Sequence, residues 1–144
     1  MGGDCQVDFY VLEDARTDAH DVACRLALMA WERGHRVAVL VAGAEAASNL
    51  DERMWSEPPG RFLPHAQAGT SGARAAPVTI LAEGESCDAD LAINLRDSAP
   101  ADARRFTRVL DFAPADPARR AASRERFRAY AAQGLKPSSH TLKS

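Results

Sequence analysis

The sequence predicts an α/β domain on a largely parallel sheet, and three features carry that expectation. Short apolar segments rich in β-formers alternate with longer segments of helical periodicity, the pattern of strands returned by crossover helices. "RVAVLV" (Arg36–Val41) is apolar almost throughout, as in a strand covered on both faces. The 144 residues suit one domain with a sizeable core, and no repeat or linker divides them. The expected organisation is therefore one domain over 1–144, with a polar tail from about residue 135.

"VDFYVL" (Val7–Leu12) reads as the first strand. From Asp18 to Arg33, Val22, Leu26, Met29 and Ala30 fall at helical spacing; Asp18 or Thr17 can cap the start and Gly34 the end. Arg36–Val41 is the second strand, and a helix from about Glu45 to Trp55 follows. A loop then runs through Ala76, long enough to be functional or mobile. "PVTILA" and "DLAINL" are two further strands separated by the polar "EGESCDA", and Thr107–Phe112 is a fifth. Pro114 and Pro117 introduce an alanine- and arginine-rich helix that ends near Gly134.

Composition excludes several classes. No apolar run approaches the roughly 18 residues of a membrane span. "MGGDCQVDFYVL" lacks the basic start and long apolar stretch of a signal peptide, so a cytoplasmic protein is expected. Cys5, Cys24 and Cys87 are odd in number and show no CxxC spacing, which fits reduced thiols rather than a disulfide framework or zinc site. The net charge of −2 hides a division. Residues 1–103 carry 8 Arg against 17 Asp and Glu, whereas residues 104–144 carry 10 Lys and Arg against 3 Asp and Glu. Either the C-terminal part faces an acidic partner, or the two halves compensate across one surface.

Chemistry is hard to find. A nucleotide-binding α/β domain puts glycines after its first strand, where phosphate meets a helix N-terminus. Here that turn reads "EDARTDAH", and neither GxxxxGK[ST] nor a GxGxxG strand–helix junction occurs. His20, His35, His65 and His140 are scattered without HExxH spacing. His65 follows Leu63-Pro64 and can orient a loop. Glu83, Glu85, Asp88 and Asp90 form an acidic cluster near two strand ends, the residue type of a magnesium site or of a solvated turn. No serine lies in a GxSxG elbow. The expectation is a non-catalytic protein with no metal and no cofactor.

Two binding surfaces remain. Trp55 ends a helix, Pro58-Pro59-Gly60 breaks it, and Phe62 follows, so the two rings can project together as interface anchors or tuck under the loop. On the last helix, Arg120, Arg124 and Arg128 recur every fourth residue and share a face bordered by Phe127. Guanidinium groups beside a ring can hold a carboxylate while the ring packs on an apolar group. That chemistry suits an acidic peptide with a free C-terminus; the alternative is plain solubilising charge.

Blocks along nearly the whole chain resemble the chi subunit of bacterial DNA polymerase III, an accessory of the clamp-loader complex. They are "LDERMWSEPPGRFLPHAQAG", "APVTI", "DLAINLR" and "VLDFAPADPARRAASRERFRAYAAQG", with "DFYVL" and "WERGHRVAVL" earlier. The resemblance implies a three-layer Rossmann-like fold without a nucleotide site. It also implies a cytoplasmic adaptor in DNA replication, at forks on the nucleoid, that is a non-catalytic subunit of a DNA-directed DNA polymerase. Such adaptors bind the acidic, apolar-ended C-terminal tail of single-stranded-DNA-binding protein and link it to the clamp loader through the psi subunit. Contact with nucleic acid is then indirect. By this resemblance the tail-binding residues are Arg120, Arg124 and Phe127, where the family commonly has lysine at the first position and tyrosine at the last. The hydrophobic surface for psi, or for a repair helicase, falls on Trp55 and Phe62. The ending "LKPSSHTLKS" is more polar than the family's.

Two rivals stand beside the adaptor. A small-molecule or nucleotide-binding enzyme on the same scaffold would draw on the His65 loop and the acidic cluster. Direct binding of single-stranded DNA would need several stacking aromatics in a basic groove. Residues 104–134 offer Phe106, Phe112, Phe127 and Tyr130.

Overall fold

The structure is a computed structural model and describes residues 5–14, 16–56, 63–70 and 76–142. The elements run β1 (Gln6–Leu12), α1 (Ala19–Glu32), β2 (Val37–Leu40), α2 (Ala44–Ser56), β3 (His65–Gln67), β4 (Val78–Leu81), β5 (Leu91–Asn94), a 3-10 turn at Ala103–Arg105, β6 (Arg108–Ala113), α3 (Pro117–Ala132) and β7 (Ser138–Leu142). Every strand pairing is parallel, and the order across the sheet is β3-β4-β2-β5-β6-β1-β7. The expected α/β architecture is present, with a sheet wholly rather than largely parallel.

Helices cover both faces. α1 and α2 bury Leu28, Leu50 and Met54 against Val37, Val39, Ile80 and Ile93. On the opposite face, α3 and the 3-10 turn bury Tyr130, Ala103 and Phe106 against Val7, Phe9, Leu40, Ala92 and Val109. β2, β4 and β5 are buried at every position, which is why their sequences lack polar alternation. Each large side chain taken fully from water contributes roughly 1.5–3 kcal/mol.

Local sequence sets the helix ends. The Asp18 carboxylate accepts the His20 N–H at 2.8 Å and caps α1, as its position predicts. Asp116 does the same for α3 through the Arg119 N–H at 3.0 Å, with Pro117 in the first turn. After α3 the chain reverses at Gly134, where φ is +85°, and the Arg104 Nη2 lies 2.7 Å from where a Cβ would stand. Arg104 Nε donates to the Gln133 carbonyl at 2.9 Å, satisfying one group of the helix C-terminus.

Two strands depart from the sequence reading. β3 lies inside the stretch read as a long loop, and β7 lies inside the stretch read as a polar tail. They are the two edges of the sheet. An edge strand pairs on one side only and tolerates polar side chains, so "HAQ" and "SSHTL" carry no apolar signature.

The order across the sheet also fixes where a ligand crevice would open. From β2 the chain leaves through α2 toward β3, while from β5 it leaves the opposite way toward β6, over the other face. Adjacent strands with diverging connections form a switch point, the usual ligand crevice of such sheets. Here Arg96, just past β5, lies across it: Nε donates to the Val41 carbonyl at 2.8 Å and Nη2 to the Leu81 carbonyl at 3.2 Å. Burial pulls this guanidinium below its ordinary pKa, against the opposing pull of Glu83 and Glu85.

Candidate functional site

The last helix lies on the sheet through a polar rather than an oily seam. Ser123, Arg126 and Tyr130 are its buried positions. Asp111, fully buried in β6, accepts four hydrogen bonds. Its Oδ1 takes Arg126 Nε at 3.0 Å and the Phe112 N–H at 2.7 Å. Its Oδ2 takes the Tyr130 hydroxyl at 2.7 Å and Asn94 Nδ2 at 3.1 Å. Arg126 spends its remaining reach on the carbonyls of Asp97 and Phe112. Burial pushes the Asp111 carboxyl up, while Arg126, Tyr130 and Asn94 pull the other way. Burial and the Asp111 carboxylate both push the Tyr130 phenol up, so it remains a donor. With every group satisfied, the network fixes the rotation of α3 about its own axis.

That rotation turns Arg120, Arg124 and Phe127 toward β1 and β7. They line a groove of about 360 Å³ whose floor is Phe9, Val11 and Ala113 and whose far side includes Ser139 of β7. Phe127 is 38% exposed and packs on Phe9 with ring centroids 5.5 Å apart, while Phe9 meets Tyr130 edge-on at 5.7 Å. Arg120 donates from Nε to the Pro114 carbonyl at 2.9 Å, and from Nη2 to the carbonyls of Leu12 at 3.2 Å and Ala113 at 3.4 Å. Arg124 is exposed, and its side chain makes no hydrogen bond or ion pair among the described residues. Arg128 pairs with Glu125 at the rim. Among the described residues, no carboxylate lines the groove. Basic side chains over an apolar floor can hold an anionic end group and the apolar side chain next to it.

β7 is itself pinned. Asp8, fully buried in β1, takes His140 Nε2 and Arg108 Nε, each at 2.8 Å, and Gln6 Nε2 at 3.0 Å. Burial pushes the Asp8 carboxyl up, but hydrogen bonds from His140, Arg108 and Gln6 outweigh it and hold the pKa below the ordinary value.

On the opposite edge, Trp55 is 57% exposed on the last turn of α2. Its ring lies 4.5 Å from that of His65, tilted by 53°. Phe62 lies outside the described residues. His65 is buried; Nδ1 lies 2.7 Å from the Leu63 carbonyl, and Nε2 lies 3.2 Å from both the Asp51 carbonyl and its carboxylate. It orients the entry to β3. The acidic cluster is tied into turns: Glu85 accepts the Ala82 N–H at 2.8 Å, and Asp90 accepts the Arg36 N–H at 2.7 Å while facing His35. Among the described residues, no group of three or more His, Cys, Asp or Glu could hold a metal.

The family model described as "DNA polymerase III chi subunit, HolC" matches residues 5–138. The chain belongs to that family. It is 40% identical over 139 residues to DNA polymerase III subunit chi of Pseudomonas aeruginosa, covering 95% of this chain and 96% of that protein. It is 32% identical to the Escherichia coli subunit of the same name, covering 94% and 97%. Among solved structures, Saccharomyces cerevisiae Dbp5 bound to Gle1 shares the fold, with a TM-score of 0.67 at 12% identity. That match covers 97% of this chain, which spans 42% of the Dbp5 chain.

Of the groove's lining, Arg120, Arg124 and Arg128 share the four-residue spacing that the sequence shows. The floor was not legible there. Phe9 and Val11 share a face by strand alternation, but nothing in the sequence says that α3 leaves that part of the face open. Ser139 carried no signal.

Proposed function

We propose that this chi-family subunit, an accessory of DNA polymerase III in replication, is the adaptor that holds the polymerase to coated single-stranded DNA. In this reading the groove between α3 and β7 takes the acidic C-terminal tail of single-stranded-DNA-binding protein. The terminal carboxylate meets the arginine-bearing wall of the groove, and the last apolar side chain packs on Phe127 and the floor. One observation carries the reading: arginines stand over an apolar floor, and among the described residues no carboxylate lines the groove. A surface for bare single-stranded DNA would want several exposed rings for its bases to stack on, and Phe106, Phe112 and Tyr130 are all buried. At the far edge of the sheet, Trp55 anchors the psi subunit or an equivalent partner, so the two partners bind without competing; Phe62 joins it by the family resemblance alone. Among the described residues no helix is long and apolar enough to cross a membrane.

The test is titration of a synthetic tail peptide at low and high salt. Affinity should fall as salt screens the contact. Arg124→Ala should cost about 1.5–3 kcal/mol, the range for hydrogen bonds to a charged group, and leave thermal stability nearly unchanged. Bare single-stranded DNA bound as tightly as the peptide, and weakened alone by Arg124→Ala, would overturn the reading.

A further inference from the structure

We propose that Arg120 and Arg124 do different work in the groove: Arg124 alone grips the peptide carboxylate, and Arg120 is a positioning residue that clamps the floor. The inference rests on the tail-binding reading above and assigns roles within it. A guanidinium grips a carboxylate bidentately through two N–H groups on neighbouring nitrogens, along the Nε–Nη2 edge or the Nη1–Nη2 edge. In Arg120 the nitrogen common to both edges, Nη2, already carries two acceptors. Nε donates to the Pro114 carbonyl at 2.9 Å, and Nη2 is shared between the carbonyls of Leu12 at 3.2 Å and Ala113 at 3.4 Å. Only Nη1 remains, and it can offer a single-atom contact. Arg124 is exposed with no partner among the described residues, so its whole fork is open.

The three carbonyls show what Arg120 does instead. Leu12 ends β1 and Ala113 ends β6, strands paired side by side in the sheet. Val11 and Ala113 belong to the groove floor. One planar side chain, anchored on α3, therefore ties together the two strand ends that form the floor and sets their distance from Phe127. A lysine keeps the charge but presents its donors from a single flexible nitrogen, so Arg120→Lys separates charge from clamp.

The experiment titrates the tail peptide as free acid and as C-terminal amide against wild type, Arg124→Ala and Arg120→Lys, with melting curves for each. Wild type should prefer the free acid by about tenfold, the scale of one charge-assisted contact. Arg124→Ala should lose that preference. Arg120→Lys should weaken acid and amide by the same factor, roughly threefold or more, and keep the preference intact. A preference that collapses in Arg120→Lys makes Arg120 a ligand and overturns the proposal. So does unchanged affinity for both peptides with only a lower melting point, which makes Arg120 merely structural. A second measurement needs no variant at Arg120: in the NMR spectrum of the wild type, replacing amide by free acid should move the Arg124 Nε–H and leave the Arg120 Nε–H in place. Equal movement of both would overturn it. A wild type without acid preference would fail the tail-binding reading itself and take this inference with it.

Discussion

A tryptophan on the last turn of a helix is unfavourable to leave in water, and Trp55 is left 57% exposed. Its neighbour His65 shows the contrast, buried and held at both ring nitrogens by oxygens. His65 belongs to the fold, and Trp55 packs against its ring while leaving more than half of its own surface in water. Trp55→Ala should therefore leave the melting point nearly unchanged while removing the partner proposed for that edge. The expected loss is about 2 kcal/mol or more, roughly thirtyfold in affinity. Pull-down of clamp-loader subunits beside a melting curve checks both halves, and unfolding of the variant would return Trp55 to the core. At this scale the sequence was readable wherever a residue type contradicted its surroundings. Trp55 before a double proline was such a case, and so was a row of arginines on one helix face. Arg126 was not, because among so many arginines nothing marked it as the one that turns inward.

Elements here are held by buried charge as well as by oil. α3 depends on Arg126 meeting Asp111, and Arg126→Ala would leave a buried carboxylate without its counter-charge. Removing one partner of such a pair costs about 3–5 kcal/mol, which chemical denaturation of the variant would read directly. β7 depends on Asp8 in another way. Its folded pKa lies below the ordinary value near 3.8, so its contribution to stability is complete above that value and is lost as pH falls through the folded pKa. The stability gap between wild type and Asp8→Asn should stay constant from neutral pH to the ordinary carboxylate range, then narrow in stronger acid. A gap unchanged down to pH 2, ~2 units below the ordinary aspartate value, would count against this role. Both carboxylates were visible in the sequence as single acids within apolar strands, in "VDFYVL" and "VLDFA". Such a placement demands a buried partner. Which residue supplies it was illegible, because Asp8 meets a histidine 132 positions away.

For the whole molecule, the parallel sheet has a switch point that is occupied from within. Arg96 engages the carbonyls of Val41 and Leu81 at that position. The turn after β1 has no glycine to admit a phosphate. ATP and ADP should accordingly give no melting shift and no hydrolysis with the purified protein; a shift abolished by Arg96→Ala would contradict this. The five inner strands were legible because burial on two faces forces apolar runs. The outermost two were not, since water accepts almost any side chain at an edge.

The pairing of β1 with β7 has a consequence for the order in which the molecule assembles. Phe9 and Ser139 are register partners, so the groove is closed by segments from opposite ends of the described chain. Contacts so distant in sequence form late, after the entropy of a very large loop has been overcome. A ribosome must therefore release the chain through β7 before the groove exists. Nascent or clipped chains lacking 138–142 would keep α3 and its arginines but present them on an incomplete surface. A partner that requires the floor and the far wall together would engage only molecules that have finished folding.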